Sequence, residues 1–175
     1  MDNLANPFNL LASYGVMFRQ RHEIAAASAG KTNSYLAFQA GEKKFIVKMD
    51  QVMEVITEIG LITSLPFSRF WLLGLISHRG DIFSVIDFSS FLGDRTSYAN
   101  GGKKNENYIL LRNQGHGYVL KVNTVFGIRT CEVSDFQSGF PYITKKATLN
   151  DEDWMLIDLD ILVADDAFLH THLFK

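Results

Sequence analysis

Phe45-Ile46-Val47-Lys48-Met49-Asp50-Gln51-Val52 and Tyr118-Val119-Leu120-Lys121-Val122-Asn123-Thr124-Val125 lie 73 positions apart and match in character residue by residue. At the same offset, Tyr35-Leu36-Ala37-Phe38-Gln39 falls on Tyr108-Ile109-Leu110-Leu111-Arg112. At an offset of 71, Val85-Ile86-Asp87-Phe88 falls on Leu156-Ile157-Asp158-Leu159, and Phe91-Leu92 on Leu162-Val163. Matches in one order at nearly one offset mark an internal duplication with a small loop difference between the copies.

The matched stretches say what each copy folds into. Phe45, Val47 and Met49 alternate, as do Tyr118, Leu120 and Val122, so each stretch is a strand with one apolar face turned inward. Lys48 and Lys121 fall on the outward faces. Gly41-Glu42-Lys43 and Gln114-Gly115-His116-Gly117 are turn-like and make hairpins of the paired strands. Asp50 and Asn123 can each accept from free backbone N–H groups and start a short helical turn, with Val52, Val55 and Ile56 following at helical spacing in one copy and Val125 and Ile128 in the other. Asp87 and Asp158 end a strand and cap a short helix, closed by Gly93 in the first copy.

Each copy thus reads as hairpin, helical turn, further strands and short helix. About five short strands are too few for a sandwich and favour a small barrel. The expected class is mostly β: two SH3-like five-stranded barrels side by side, over about 33–94 and 107–166, within one domain spanning 33–166. The joint, Asp94 to Glu106, is polar, Gly-bearing and aperiodic. Before it, Asn6-Pro7 starts a helix whose Phe8, Leu11, Tyr14 and Phe18 make it amphipathic to about Ile24, a helical extension over 1–32. After it, Leu159 to about Phe168 forms a helix with Ile161, Leu162 and Phe168 inward, and 167–175 is a loosely held tail.

The totals narrow the function classes. The 175 residues carry 47% hydrophobic and 21% charged side chains, the composition of a globular chain able to bury about 70% of its unfolded surface. The net charge of −2 offers no footprint for nucleic acid or an anionic membrane. Cys131 is the single cysteine, which fits a reducing compartment. No apolar run reaches the roughly 20 residues of a membrane span. Asp2 stands where a secretion signal is basic, so a cytoplasmic protein is expected.

No Gly-rich phosphate loop, nucleophile elbow or zinc-type cluster is present, so no cofactor, metal or catalytic residue is expected. His170 and His172 with Asp165 or Asp166 make a weak metal set on the tail. Asp87 and Asp158 read as caps rather than an acid–base pair, and Cys131 reads as a small packing residue rather than a nucleophile. Arg79-Gly80-Asp81 spells an adhesion tripeptide, but in this setting it reads as a hairpin. Leu75-Ile76-Ser77-His78 runs in, Gly80-Asp81 turns, and Ile82 to Ile86 runs out. The second copy shows no equivalent of Arg79-Gly80, so a guanidinium beside a turn in one copy only is a recognition point.

The stretch from Leu65-Pro66-Phe67 through Trp71, Gly74 and Arg79-Gly80 to Asp87-Phe88 resembles the signature of CheW-like coupling proteins. Val52-Met53-Glu54-Val55 and Val122-Asn123-Thr124-Val125-Phe126-Gly127-Ile128 also look like family segments, and the resemblance covers about 33–166. Ser77 and Ser84 stand where the family has Asn and Pro. Asn6-Pro7-Phe8-Asn9-Leu10-Leu11, Trp71, Phe91-Leu92-Gly93 and Val125-Phe126-Gly127 look like the PilI branch, which serves type IV pilus (twitching) chemosensory systems. The resemblance implies a scaffold joining the cytoplasmic tip of a methyl-accepting receptor to the regulatory domain of a CheA-like histidine kinase, recruited to receptor arrays at the inner membrane and monomeric when free. By carry-over, Arg79, Gly80, Glu54 and Val52 face partners. The alternative is a double-barrel module binding a small molecule or a peptide, with an apolar ligand in the groove between barrels.

Overall fold

The computed structural model describes residues 33–94 and 106–169; the expected N-terminal helix, the body of the joint and the end of the tail lie outside them. Eleven strands run in chain order: β1 (Ser34–Ala40), β2 (Lys43–Lys48), β3 (Val52–Ile56), β4 (Leu72–His78), β5 (Asp81–Asp87), β6 (Asn107–Asn113), β7 (His116–Val122), β8 (Thr124–Thr130), β9 (Ser134–Asp135), β10 (Lys145–Leu149) and β11 (Glu152–Leu156). Three short helices follow the strand pairs: α1 (Phe88–Phe91), α2 (Leu159–Ala164) and α3 (Asp166–Leu169). The chain is mostly β, as the alternation predicts.

The duplication is visible in the register. Hairpins β1–β2 and β6–β7 are equivalent down to the residue pair, with Ala40 opposite Lys43 in one and Asn113 opposite His116 in the other. The backbone closures repeat as well. Asp87 N–H donates to Trp71 O at 2.8 Å, and Asp158 N–H to Tyr142 O at 2.9 Å. Leu72 N–H donates to Arg69 O at 2.9 Å, and Ile143 N–H to Phe140 O at 3.1 Å.

Pairing does not follow the two sequence halves. One sheet has six strands in the order β8-β1-β2-β11-β10-β9, the other five in the order β3-β6-β7-β5-β4. Each half lends its first hairpin to the other. β2 joins β11 in parallel through Ile46 and Leu156, and β7 joins β5 in parallel at the repeat-equivalent pair Val119 and Val85. The division at 95–105 is therefore a division of sequence, and the sheets cross it.

Each sheet encloses its own apolar cluster, and the clusters are equivalent residue by residue. Tyr35, Ala37, Ile46, Ala147, Trp154 and Leu156 fill one; Tyr108, Leu110, Val119, Ile76, Phe83 and Val85 fill the other. A third, larger cluster takes the opposite faces of the lent hairpins, including Leu36, Phe38, Phe45, Val47, Ile109, Leu111, Leu120 and Val122, together with Phe88, Leu159, Leu162 and Phe168. The first hairpins are thus buried on both faces, which is why apolar residues run without a polar break through Tyr35–Phe38, Phe45–Val47, Tyr108–Leu111 and Tyr118–Leu120.

The caps are as expected. Asp87 Oδ1 accepts from Ser90 N–H at 3.1 Å and Ser89 Oγ–H at 2.8 Å, and Asp158 Oδ1 accepts from Asp160 N–H and Ile161 N–H. Gly93, at φ 88°, closes α1 by donating to Ser90 O. Lys121 is drawn inward rather than left on a free outer face, its Nζ 2.8 Å from Glu106 and 3.9 Å from Asp87.

Four expectations are corrected. The helical turn expected at Asp50 forms but is not capped by Asp50 and does not run on to Ile56, and none forms after Asn123. Met49–Gln51 makes one 3-10 turn without a side-chain cap, and Val52–Ile56 and Thr124–Thr130 are strands. β-branched Val52, Val55 and Ile56 suit a pleated ladder better than a helix, and three and four apart coincides with alternation in so short a run. Asn123 instead ties the halves together: its Oδ1 accepts from Gly41 N–H at 2.6 Å and its own N–H donates to Gln39 O. The C-terminal helix is two helices broken at Asp165, whose ψ of 132° is extended, and Ile161 faces outward at 38% exposure. Finally, the hairpin turn is Arg79-Gly80 rather than Gly80-Asp81, and it is no insertion. Asn150-Asp151 stands 71 residues on, between Leu149 and Glu152 as Arg79-Gly80 stands between His78 and Asp81.

Candidate functional site

The β4–β5 hairpin closes through a two-residue turn with both central residues at positive φ, Arg79 at 53° and Gly80 at 90°. That geometry matches the right-handed twist of the flanking strands and selects residues that tolerate left-handed backbone. Gly80 does so freely, and a Cβ there would meet nothing within 4 Å. Arg79 does so at a cost, which makes its presence informative.

Strand parity determines what surrounds the turn. Ile76, Phe83 and Leu110 point into the interior of the five-stranded sheet. His78, Asp81 and Arg112 are each two residues from one of them, and Glu54 lies opposite Leu110. All four therefore stand on the inward face, at the end of the strands where the apolar filling stops.

They pair there. Glu54 Oε1 accepts from Arg79 Nη2 at 3.1 Å, and Glu54 Oε2 meets His78 Nε2 at 3.0 Å. Asp81 pairs with Arg112. The His78 ring sits edge-to-face on Phe83, with centroids 6.2 Å apart. β3 and β4 occupy opposite ends of the strand order, so the Glu54–His78 contact joins the two edges and the sheet curls round on itself. The result is a polar collar over an apolar plug, with the Arg79 side chain 75% exposed above it.

The expected partner-facing residues divide. Arg79 and Glu54 are brought together, and Gly80 sets the turn that presents Arg79. Val52 stands apart, packed against the central cluster opposite Leu111. Sequence reasoning missed His78, Asp81 and Arg112. The signal was available in the alternation itself, since each lies two positions beyond a core residue next to a turn.

The collar does not repeat, although the turn does. The positions equivalent to Glu54 and His78 are Gly127 and Leu149, and Asn150-Asp151 replaces Arg79-Gly80. The second collar instead pairs Lys44 with Glu152, with the Lys44 ammonium over the Trp154 ring. Ile82, 68% exposed on the first hairpin, is matched by an exposed Asp153 on the second. Lys146 donates to the Asp153 carboxyl, and Thr148 adds a second hydrogen bond; both hold it below its ordinary range. One backbone therefore carries two chemically distinct surfaces.

The remaining candidates are structural. Asp87 and Asp158 are committed to helix N-termini. Burial pushes the Cys131 thiol up, away from a reactive thiolate. Burial and then the hydrogen bond to Glu106 push the Tyr108 hydroxyl up. Burial raises Glu106, but the hydrogen bonds from Lys121 and Tyr108 together outweigh it, so its carboxyl lies below its ordinary value. Asp165 belongs to the break between α2 and α3, and His170 and His172 lie outside the described residues. A pocket of about 330 Å³ at the β1–β2 turn is open to solvent and lined by Ala40, Glu42, Lys43, Leu92, Gly93 and Asp94.

Comparison with known proteins supports the fold and shows the family. The family described as the CheW-like domain matches residues 34–167. The chain is similar to protein FrzA of Myxococcus xanthus, 30% identical over 112 residues that make 63% of this chain and 66%, about two thirds, of that one. It is also similar to protein PilI of Pseudomonas aeruginosa, 26% identical over 143 residues, 81% of this chain and 78% of that one. Among solved structures, the fold matches the scaffolding protein TtCheW from Thermoanaerobacter tengcongensis with a TM-score of 0.68 at 20% identity, covering 82% of this chain and 99% of the other.

Proposed function

Because the chain belongs to the CheW-like domain family, we propose that it is a non-enzymatic adaptor of a bacterial chemosensory pathway that couples the cytoplasmic tip of a methyl-accepting receptor to the regulatory domain of a CheA-like histidine kinase. The likeness to PilI supports a pathway that controls type IV pilus twitching. In this reading the protein is cytoplasmic, monomeric when free, and recruited to receptor arrays at the inner membrane, where it works. No described helix is long and apolar enough to cross a membrane.

The observation that carries this reading is the one-sided collar. Two equivalent barrels present different surfaces, Arg79, Glu54 and Ile82 on one and Lys44, Glu152 and Asp153 on the other, and a scaffold needs two unlike faces to hold two unlike partners. Holding both on one chain raises their effective concentration, commonly to about millimolar for short tethers. Signal then passes as a shift in binding equilibria, which requires different affinities for the receptor's states. In this scheme Arg79 and Gly80 form the receptor-facing edge, and Glu54 holds the guanidinium in place.

Arg79→Glu sets a carboxylate against Glu54 at an exposed tip. The fold is expected to survive, with an unchanged far-UV circular dichroism spectrum, while co-sedimentation with receptor arrays falls at least tenfold. Wild-type co-sedimentation by the folded variant would remove Arg79 from the docking edge. Pull-down against receptor and kinase domains, separately and together, tests the wider reading; binding to neither returns the protein to the small-ligand alternative.

A further inference from the structure

We infer that α3 is a latch, and that Phe168 locks the base of the β4–β5 hairpin and so sets how rigidly Arg79 is presented. The consequence for Arg79 rests on the docking role proposed above; the latch itself does not.

α3 has four residues and follows an extended residue, Asp165, so it has no helical cooperativity of its own. Of its described side chains, Asp166 is exposed and Phe168 is buried. Phe168 is 6% exposed, stacks on Trp71 with centroids 5.9 Å apart and planes 16° apart, meets Phe91 edge-on at 5.5 Å and touches the Tyr118 ring at 5.7 Å. Trp71 is the residue before β4, and its carbonyl accepts from Asp87 N–H, the last residue of β5, which closes the hairpin at its base. Asp87 also caps α1, which carries Phe91. Trp71 and Phe91 already meet edge-on, with centroids 5.0 Å apart, and Phe168 packs against both, so it braces that ring pair beside the backbone closure.

The second hairpin has the same closure, between Tyr142 and Asp158, but the rings against Tyr142 are Phe91 and Phe140, so Phe168 reaches it only through Phe91. A paired seven-residue strand spans about 20 Å and carries a tilt at its base to its tip. Latched and unlatched states of α3 thus act directly on the hairpin that carries Arg79 and on the one that carries Asn150 only through Phe91.

Hydrogen exchange on the full chain decides this. Phe168→Ala is expected to speed exchange across Leu72–Asp87 at least tenfold while Lys145–Leu156 keeps its wild-type rate, and Phe168→Tyr is expected to restore protection. Should Phe168→Ala fail to fold, Phe168→Leu keeps the apolar volume without the stacked ring and is expected to raise exchange selectively by about threefold. Equal acceleration of both hairpins, or of neither, overturns the latch. This readout uses no partner, so failure of the latch is distinct from failure of the docking role, which the Arg79→Glu co-sedimentation reports alone.

Discussion

At position 79 an arginine is held at φ 53°, and 71 residues later Asn150 sits at φ 52° in the same turn. Asparagine is the side chain that such backbone favours, because its short amide can hydrogen-bond locally; arginine gains nothing there. On the proposed docking role, the arginine is kept for its guanidinium. Arg79→Asn copies the second turn into the first and removes one exposed ion pair, itself worth at most about 1 kcal/mol. Its melting temperature is expected within about 3 °C of wild type, with receptor binding lost; a collapse in stability would show the ion pair with Glu54 to be structural. Gly80 was legible as a turn residue, and its equivalent Asp151, at φ 62°, shows that the turn does not demand glycine.

Among the elements, those with a strong local cause were readable and those decided at a distance were not. The hairpins β1–β2 and β6–β7 were readable from paired apolar runs on either side of turn residues, and the helices α1 and α2 from an aspartate at each N-cap. β3 and β8 also fit a helical turn, because five to seven residues with apolar side chains three and four apart suit either period, and only pairing with β6 and β1 decides between them. Gly74 shows how tightly such pairing is made. It lies at φ 140° where β4 bulges, and a Cβ would stand 2.2 Å from Thr63 O, the carbonyl that accepts from Leu75 N–H. Gly74→Ala must push that segment away and lose the bridge, at about 2–4 kcal/mol from overpacking, backbone strain and hydrogen-bond loss together. Chemical denaturation is expected to show a lower midpoint; an unchanged midpoint would mean that the Thr63 segment is not anchored there.

On the scale of the whole molecule, the duplication was legible and the exchange of hairpins was not. Repeats appear in the sequence because both copies keep the same alternation, but parallel pairs such as β2–β11 and β5–β7 join residues far apart in the chain and leave no local trace. The collar was half legible for a related reason. Arg79 and Gly80 declare a turn, whereas Arg112 reaches it only because β6 lies in the five-stranded sheet. The exchange predicts the behaviour of fragments. A chain of 1–94 has β1 and β2 without the sheet they complete and β3 to β5 without β6 and β7. It is expected to lack cooperative unfolding by circular dichroism, to regain it on mixing with 95–175, and to show by that recovery that the cut falls between halves of one folding unit; a cooperatively folded 1–94 would contradict this. The same feature bears on symmetry. A single copy folded with this exchange would need the hairpin of a second, identical chain, so the pseudo-symmetric molecule holds in one polypeptide the contacts of a swapped pair. Two identical chains would carry the same turn twice, whereas one polypeptide can carry Arg79-Gly80 in one turn and Asn150-Asp151 in the other.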